Sequence, residues 1–221
     1  MPALRLSRFG FVNTYLVDED DGLTVIDTML PRSGKRIGAA AEARGAPIVR
    51  ILLTHAHGDH VGSLDELHEA APDAEVIISA RDARLLAKDM SLDSGEPDDK
   101  LRGSYPGAET KPDRELAPGD HVGSLEALAA PGHTPGQLAF LDARDRTLYC
   151  ADAYSTLGGV ATSAKVNPLF PLPAMATWHR PTALASARAL RDLDPKALAP
   201  GHGKVVENPG AEMDRAIEKA S

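Results

Sequence analysis

The sequence predicts a protein of the α/β class, and three observations support this prediction. Apolar runs at 47–55 and 74–80 are typical of buried strands, and they flank the helix-like stretch "VGSLDELHEAA". The order strand, helix, strand suggests a crossover unit. Each half of the chain places its strands first and its helices after, and no repeat or linker separates the halves. We therefore expect one domain over residues 1–221, built from two packed αβ halves.

The first half begins with β-branched and aromatic runs bounded by Gly10 and by the turn sequence "DDG", which predict an antiparallel meander. The predicted strands of this half are residues 4–9, 11–19, 23–28, 47–55 and 74–80. An Ala-rich stretch with Ile37 and Ala41 at helical spacing predicts a helix over 33–44, which Gly45 ends. A second helix is predicted over 61–71. Residues 89–113 are rich in Gly, Pro, Asp and Ser, and we interpret them as a surface loop and a candidate lid.

The second half repeats the order of strands before helices. Its predicted elements are strands near 122–130, 137–142 and 147–151, a Pro-rich loop at 165–175, a helix through about residue 193 and a strand at 197–200. Asn208 and Pro209 form a sequence typical of a helix cap and first turn, and they predict one last helix.

Composition and charge restrict the classes of function. The 221 residues are 43% hydrophobic and 25% charged, as in ordinary globular proteins. A formal net charge of −8 disfavours nucleic acid as a partner. Arg5 and Arg8 interrupt the N-terminal segment, and no window approaches the apolar length of a membrane span, so we expect a cytoplasmic protein without a membrane partner. Cys150 is the single cysteine, so a metal site has to use histidine and carboxylate.

Histidines concentrate in the stretch "LLTHAHGDHVG", directly after a predicted buried strand. His55 and His57 are two residues apart, so in extended backbone they project to the same side, and Asp59 and His60 follow where the chain turns after Gly58. Side chains of this kind can surround a small volume. Imidazole nitrogen and carboxylate oxygen without thiolate suit zinc, iron, manganese or nickel better than calcium.

Three later segments have the same form, in which a potential ligand follows an apolar strand and a small residue. They are "APGHTPG" around His133, "YCADAY" around Asp152 and "LAPGHG" around His202. If the strands end along one sheet edge, these loops are expected to lie together.

The motifs "THAHGDH", "PGHTPG", "AD" and "PGHG" together resemble the metallo-β-lactamase superfamily, whose signature is H-x-H-x-D-H followed by one His, one Asp and one His. The resemblance extends from residue 12 through "APGHG". It implies a four-layer αβ/βα sandwich with two divalent metal ions at one sheet edge, most simply zinc, with iron or manganese as alternatives. Carried over by position, His55, His57 and His133 hold the first ion, Asp59, His60 and His202 hold the second, and Asp152 bridges both.

This resemblance implies a hydrolase in which a metal-bound hydroxide attacks a carbonyl carbon. Asp59 is predicted to orient the water as well as to ligate, and Asp27 is either a partner that orients a ligand histidine or a turn residue. Tyr154 is the candidate donor to the substrate, although it stands one residue closer to Asp152 than in the lactone-hydrolysing members. The apolar residues of the Pro-rich loop form either a substrate-facing wall or core cover.

The predicted substrate is a small molecule with a carboxylic ester, lactone or thioester. A β-lactam is a weaker alternative, because the β-lactamases of the superfamily usually have Cys or Ser where Asp152 stands. Glyoxalase II resembles this chain in its ligands but adds a helical domain after the last histidine, and only 19 residues follow His202. A mononuclear-iron sulfur (persulfide) oxygenase and a metal-holding protein without turnover remain as further alternatives. The sequence leaves the oligomeric state open.

Overall fold

The computed structural model describes residues 3–221, which form two compact units. The first unit contains the chain up to Asp89 together with Tyr105–Leu116, and the second contains Met90–Ser104 together with Ala117–Ser221. Helices and strands are mixed in both, so the predicted α/β class is confirmed. The single domain over residues 1–221 stays a prediction.

The first unit contains a six-stranded sheet in which the strands follow chain order. The strands are β1 (Leu4–Arg8), β2 (Val12–Glu19), β3 (Gly22–Ile26), β4 (Ile48–Leu52), β5 (Glu75–Ser79) and β6 (Arg114–Leu116). Pairs β1–β2 and β2–β3 are antiparallel, whereas β3–β4, β4–β5 and β5–β6 are parallel. The carboxyl ends of β3, β4 and β5 therefore lie along the same edge.

Four helices accompany this sheet: α1 (Gly34–Arg44), α2 (Gly58–Val61), α3 (Leu64–Ala70) and α4 (Ala80–Leu86). Helix α1 buries Ile37 and Ala41 and ends at Gly45, whose φ of 70° is the left-handed conformation that glycine adopts without strain. The helix predicted over 61–71 is in fact α2 and α3, separated at Gly62 and Ser63. Helix α4 was not predicted; its N-cap is Ser79, whose hydroxyl accepts from the Asp82 N–H at 3.0 Å.

The second unit contains a six-stranded sheet in the order β14-β13-β10-β9-β8-β7 and a separate hairpin of β11 and β12. Its strands are β7 (His121–Val122), β8 (Leu125–Ala129), β9 (Leu138–Asp142), β10 (Thr147–Ala151), β11 (Tyr154–Ser155), β12 (Ala161–Thr162), β13 (Ala197–Pro200) and β14 (Val206–Glu207). Strands β10 and β13 are parallel neighbours, and β8 and β10 are both antiparallel to β9. Strands β8, β10 and β13 therefore run in one direction and end at the same edge.

The helices of the second unit are α5 (Leu172–Ala176), α6 (Arg180–Asp192) and α7 (Gly210–Ala220). Leu190 of α6 and Met213 of α7 are buried in one apolar cluster with Leu148 and Leu198 of the sheet. Helix α5 begins inside the predicted Pro-rich loop and ends one residue beyond it. The predicted cap of the last helix is wrong, because Asn208 has a left-handed φ of 48° and Pro209 occupies the N-cap position, which no side chain caps. Within residues 3–221, no helix combines the length and apolar character that crossing a membrane requires.

Candidate metal site

In the first unit, polar side chains follow three neighbouring parallel strands. Asp27 follows β3, the stretch from Thr54 to His60 follows β4, and Asp82 follows β5. The Asp27 N–H donates to the Leu52 carbonyl at 2.9 Å, which continues the pairing of β3 and β4 beyond the regular strands. The fold of this unit therefore brings Asp27 beside the histidine motif, as parallel strand ends require.

His55, His57, Asp59 and His60, here called the histidine cluster, lie close together in the first unit. The ring of His55 is 4.9 Å from that of His57 and 4.0 Å from that of His60, measured between centroids. A ligand atom of His60 also lies within 4.8 Å of a carboxylate oxygen of Asp59. The three histidines are buried and Asp59 is half-buried. The sequence therefore correctly predicted that these four side chains are neighbours.

The carboxylate of Asp27 sets the orientation of two of these histidines. Its Oδ2 lies 2.7 Å from Nδ1 of His60 and also accepts from the Thr54 hydroxyl at 2.8 Å. Because the carboxylate only accepts, the Thr54 hydroxyl donates to it and its lone pair faces Nδ1 of His55 at 3.0 Å. Both rings thus carry their proton on Nδ1, which leaves Nε2 as the unprotonated nitrogen that can bind a metal ion. Asp27 therefore contacts His60 directly and His55 through Thr54, the arrangement expected of a residue that orients proposed ligand histidines.

His133, Asp152 and His202, here called the aspartate cluster, follow strands β8, β10 and β13 of the second unit. The last register pair of β10 and β13 joins Ala151 to Pro200, so the segments that continue to Asp152 and His202 start side by side. A bulge between Tyr149 and Ala151 gives Ala151 a left-handed φ of 48°. Bulges of this kind redirect the side chain that follows, which here is Asp152.

One oxygen of Asp152 is placed symmetrically between two imidazoles. Its Oδ2 lies 3.3 Å from Nε2 of His133 and 3.3 Å from Nε2 of His202, and all three side chains are buried. Two ligand atoms that share a tetrahedral zinc ion at about 2.1 Å lie roughly 3.4 Å apart. The spacing of the aspartate cluster therefore fits shared cations, and its atoms are those that zinc, iron or manganese accept.

Thr177 fixes the ring of His133 in the same way that Thr54 fixes His55. Its hydroxyl donates to the Pro173 carbonyl at 2.8 Å, so its lone pair accepts from Nδ1 of His133 at 3.0 Å. The bare Nε2 of His133 is then the atom that faces Asp152. Three histidines, His55, His60 and His133, thus have Nδ1 beside a polar side chain, a pattern that is typical of metal-binding histidines.

Glycines beside the ligands allow close approach of the backbone. At Gly132, with φ 125°, an added Cβ would lie 2.2 Å from the Ala183 nitrogen of α6. At Gly203, with φ 110°, it would lie 2.3 Å from the Thr156 hydroxyl. These contacts explain why glycine directly precedes His133 and directly follows His202.

The structure does not support the donor role predicted for Tyr154. Its ring is fully buried in the apolar cluster of the second unit, and its hydroxyl donates to the Ala187 carbonyl of α6 at 2.7 Å. Burial raises the pKa of this phenol.

Cys150 is buried in the same cluster, where burial raises the pKa of its thiol, as expected for an inert cysteine. His179 accepts from the Thr182 N–H at 3.3 Å and caps α6.

Several residues around the clusters were missed by sequence reasoning. They are Thr54 and Thr177, which fix ligand rings, Asp82, whose carboxylate accepts from the Ala56 N–H at 2.9 Å, and Tyr105, whose ring centroid lies 4.6 Å from that of His57. Threonines at strand ends are common, so their type and position alone gave no signal. Asp82 could have been identified from the sequence, because "SARD" after a strand is typical of a capped helix start.

The loop at 165–175 combines core cover and exposed apolar surface. Phe170 is buried with its ring 5.3 Å from that of His202. Leu169, Leu172 and Met175 are 76%, 57% and 59% exposed. Trp178, which follows this loop, donates its indole N–H to the carbonyl of Asp99 at 2.9 Å, and Asp99 belongs to the predicted lid at 89–113. Phe170 therefore serves as core cover, whereas a substrate-facing role of the exposed side chains stays a prediction.

Comparisons with known proteins agree with the fold and with the family that the motifs resemble. The profile of the metallo-beta-lactamase superfamily matches residues 7–202. The uncharacterized protein YobT of Bacillus subtilis (strain 168) is 48% identical over 210 residues, which cover 95% of this chain and 90% of that protein. The probable metallo-hydrolase YflN of the same organism is 28% identical over 212 residues, which cover 86% of this chain and 80% of that protein.

Two further similarities concern a named activity and a metal. A hydroxyacylglutathione hydrolase of Rhodospirillum rubrum is 34% identical over 132 residues, which are 58% of this chain and 42% of that enzyme. The crystal structure of TTHA1623 in a di-iron-bound form has a TM-score of 0.68 and 26% identity, covering 95% of this chain and 96% of that one.

Proposed function

The chain belongs to the metallo-beta-lactamase superfamily and is a metal-dependent hydrolase, and from this premise we propose that it cleaves a small carboxylic ester, lactone or thioester with two divalent metal ions. His55, His57 and His133 would hold one ion, and Asp59, His60 and His202 the other, with Asp152 shared. Two cations supply the chemistry of such a reaction, since they lower the pKa of a bound water and polarise the substrate carbonyl.

The observation that carries this proposal is the position of Asp152. Its Oδ2 is equidistant, at 3.3 Å, from Nε2 of His133 and of His202, the residues proposed to hold different ions. A shared carboxylate requires this placement. Buried charged groups in proteins are typically paired or coordinate metals, which agrees with a shared ligand at this position.

The protein's own residues hold and orient the proposed centre. Asp27, through Thr54, fixes His55 and His60 in the tautomer that presents Nε2, and Thr177 does the same for His133. The half-buried Asp59 is proposed to orient the attacking water and to accept its proton. Tyr154 is given no role in the reaction, because its hydroxyl donates to Ala187.

The substrate class is supported by a relative and by the ligand set. The hydroxyacylglutathione hydrolase that matches 58% of this chain bears a name that denotes thioester hydrolysis. The shared position is an aspartate rather than the Cys or Ser usual in the β-lactamases of the superfamily, which disfavours a β-lactam. We therefore propose a carboxylic ester, lactone or thioester as the principal substrate and zinc as the first metal to test.

The experiment is a turnover panel on protein reconstituted with zinc, manganese or iron, with metal content measured on the same samples. The substrates are a homoserine lactone, a glutathione thioester, a nitrophenyl ester, a cephalosporin and a phosphodiester. We expect about two ions per chain and hydrolysis of at least one of the first three substrates. One iron per chain with oxygen consumption would instead establish the oxygenase alternative.

Variants test the ligand assignment directly. Asp152→Ala and His60→Ala are expected to abolish turnover and to lower metal content while the far-ultraviolet circular dichroism stays unchanged. His121→Ala is the matched control, because His121 is an exposed histidine of the second unit outside the aspartate cluster. Wild-type rates in either ligand variant would refute the two-ion proposal.

A further inference from the structure

The second unit contains a cavity of about 510 Å³ between the loop at 158–168 and helix α7. This volume lies within the range of about 300–1,000 Å³ that small-molecule sites occupy. None of its lining residues belongs to the histidine or the aspartate cluster. The cavity is therefore a separate feature from the proposed metal centre and has no function in the proposed hydrolysis.

The walls of this cavity are largely apolar. Val160, Ala161, Val166 and Pro168 line it from the loop, and Ala216 lines it from α7. Val166 is 42% exposed, so a large aliphatic side chain stands partly open to water here. An apolar ligand body would cover this surface and gain the free energy of its burial, about 25 cal/mol per Å².

Basic side chains outnumber acidic ones around the same cavity. Lys165, Arg215 and Lys219 line it together with a single acid, Glu212. Arg215 lies 3.6 Å from Glu212, and the Lys165 ammonium donates to the Lys219 carbonyl, which ties the loop to α7. An excess of positive charge in a chain of formal net charge −8 favours an anionic ligand here.

A buried hydroxyl in the wall adds an unused hydrogen-bonding group. Thr162 lines the cavity and is 4% exposed, and within residues 3–221 its hydroxyl has no hydrogen-bond partner. Buried polar groups are almost always satisfied, so this hydroxyl marks a part of the wall whose hydrogen bonding is incomplete. Its oxygen is closed off from solvent, so a ligand would reach it only after the wall adjusts around the bound molecule.

We infer that this cavity binds a small carboxylate with an apolar body, such as a medium-chain fatty acid. The apolar wall receives the hydrocarbon, and the carboxylate lies among Lys165, Arg215 and Lys219. An inorganic anion would leave the wall uncovered, and a neutral alcohol would leave the cations uncompensated. The inference is independent of the proposed hydrolysis, since it uses none of the residues that carry it.

A ligand in this cavity would contact a segment that also touches the aspartate cluster. The Thr156 N–H donates to the His202 carbonyl at 2.9 Å, and its hydroxyl donates to the Lys204 carbonyl at 2.6 Å. Further along, the Asn167 amide donates to the Leu157 carbonyl at 3.3 Å, and Phe170 packs on His202. The loop wall is therefore continuous with the backbone that holds one proposed ligand.

Calorimetric titration of the metal-loaded protein with decanoate, decanol and acetate tests the inference. We expect saturable binding of decanoate and clearly weaker binding of decanol and acetate. The double variant Arg215→Gln/Lys219→Gln is expected to weaken decanoate binding about fivefold, since two exposed ion pairs of about 0.5 kcal/mol each sum to about 1 kcal/mol. Arg188→Gln is the matched control, because Arg188 is an exposed cation of α6 that does not line the cavity.

A second variant separates this site from a carboxylate bound at the metal centre. Val166→Asp places a like charge in the exposed part of the wall and should abolish decanoate binding without unfolding the chain. Binding that survives Val166→Asp but is lost in Asp152→Ala would place decanoate on the metal and overturn the inference. Equal affinities of decanoate and acetate, or no saturable binding to the wild type, would also overturn it.

Discussion

Asp27 lies 2.7 Å from Nδ1 of His60 and, through the Thr54 hydroxyl, also determines the orientation of His55. One carboxylate thus fixes two proposed ligands of different ions. Asp27 itself has a left-handed φ of 61°, and its carboxylate also accepts from the Thr54 N–H at 2.8 Å. The end of β3 is therefore specialised for holding the histidine cluster.

Asp27→Asn is expected to weaken metal binding about 10- to 100-fold, the usual cost of losing an outer hydrogen-bond partner of a metal ligand. Asparagine tolerates the left-handed backbone, so the change removes charge and accepting capacity without adding strain. The measurement is metal retention in competition with a chelator. Asp18→Asn is the control, because it removes the charge of a carboxylate in the same unit that pairs with Arg44. Equal losses in both variants would contradict this role of Asp27.

Tyr154→Phe is expected to reduce stability by about 1 kcal/mol, since it removes a buried hydrogen bond. Turnover should stay within a factor of two of the wild type. Urea denaturation and kcat/KM, measured on the same preparation, separate the two effects. A fall in kcat of tenfold or more at little cost in stability would restore Tyr154 as the substrate donor.

Thr162→Val is expected to stabilise the ligand-free protein by roughly 1 kcal/mol, because a buried hydroxyl without a partner costs about 1–3 kcal/mol. Valine also suits the strand position of Thr162 in β12. Thr14→Val is the contrasting variant, because the Thr14 hydroxyl is a satisfied donor. It lies 2.9 Å from the Ile26 carbonyl and 2.6 Å from the Asp27 carbonyl. Thermal unfolding of both variants should give shifts of opposite sign, and a loss in both would show that the Thr162 hydroxyl is satisfied.

The ion pair of Asp142 and Arg144 predicts a pH dependence of stability. Burial alone would raise the pKa of Asp142, but hydrogen bonds from the Arg144 side chain, at 2.6 Å and 3.0 Å, outweigh it and the pKa is lowered. A carboxyl group with a lowered folded pKa stabilises above its unfolded pKa of about 3.9, and this contribution disappears as pH falls through the folded value.

Arg144→Gln should therefore cost stability at neutral pH, and its difference from the wild type should shrink as the solution is acidified. The measurement is the urea midpoint as a function of pH. Arg188→Gln, which changes an exposed cation of α6, should give a pH-independent difference. A constant difference for Arg144→Gln would show that Asp142 titrates normally.

Residue type and spacing predicted most of the side chains that form the histidine cluster and the aspartate cluster. The motif after β4 and the small residues before His133 and His202 identify side chains at strand ends, and strand direction then determines which of them become neighbours. The partner of Tyr154 could not be predicted, because Ala187 is 33 residues away and meets it only through packing of α6. Thr177 was missed for the same reason, since its link to His133 joins residues 44 positions apart.

Because the proposed ligands all follow strand ends, the exposed side chains of the loop at 165–175 can change without moving them. Leu169, Leu172 and Met175 contribute little to the buried core, whereas Asp152 is positioned by the bulge in β10. Mutational drift at these three exposed positions would then change the surface of the loop while the proposed ligands stay in place. Relatives of this chain are expected to differ from it more at these positions than at the strand ends.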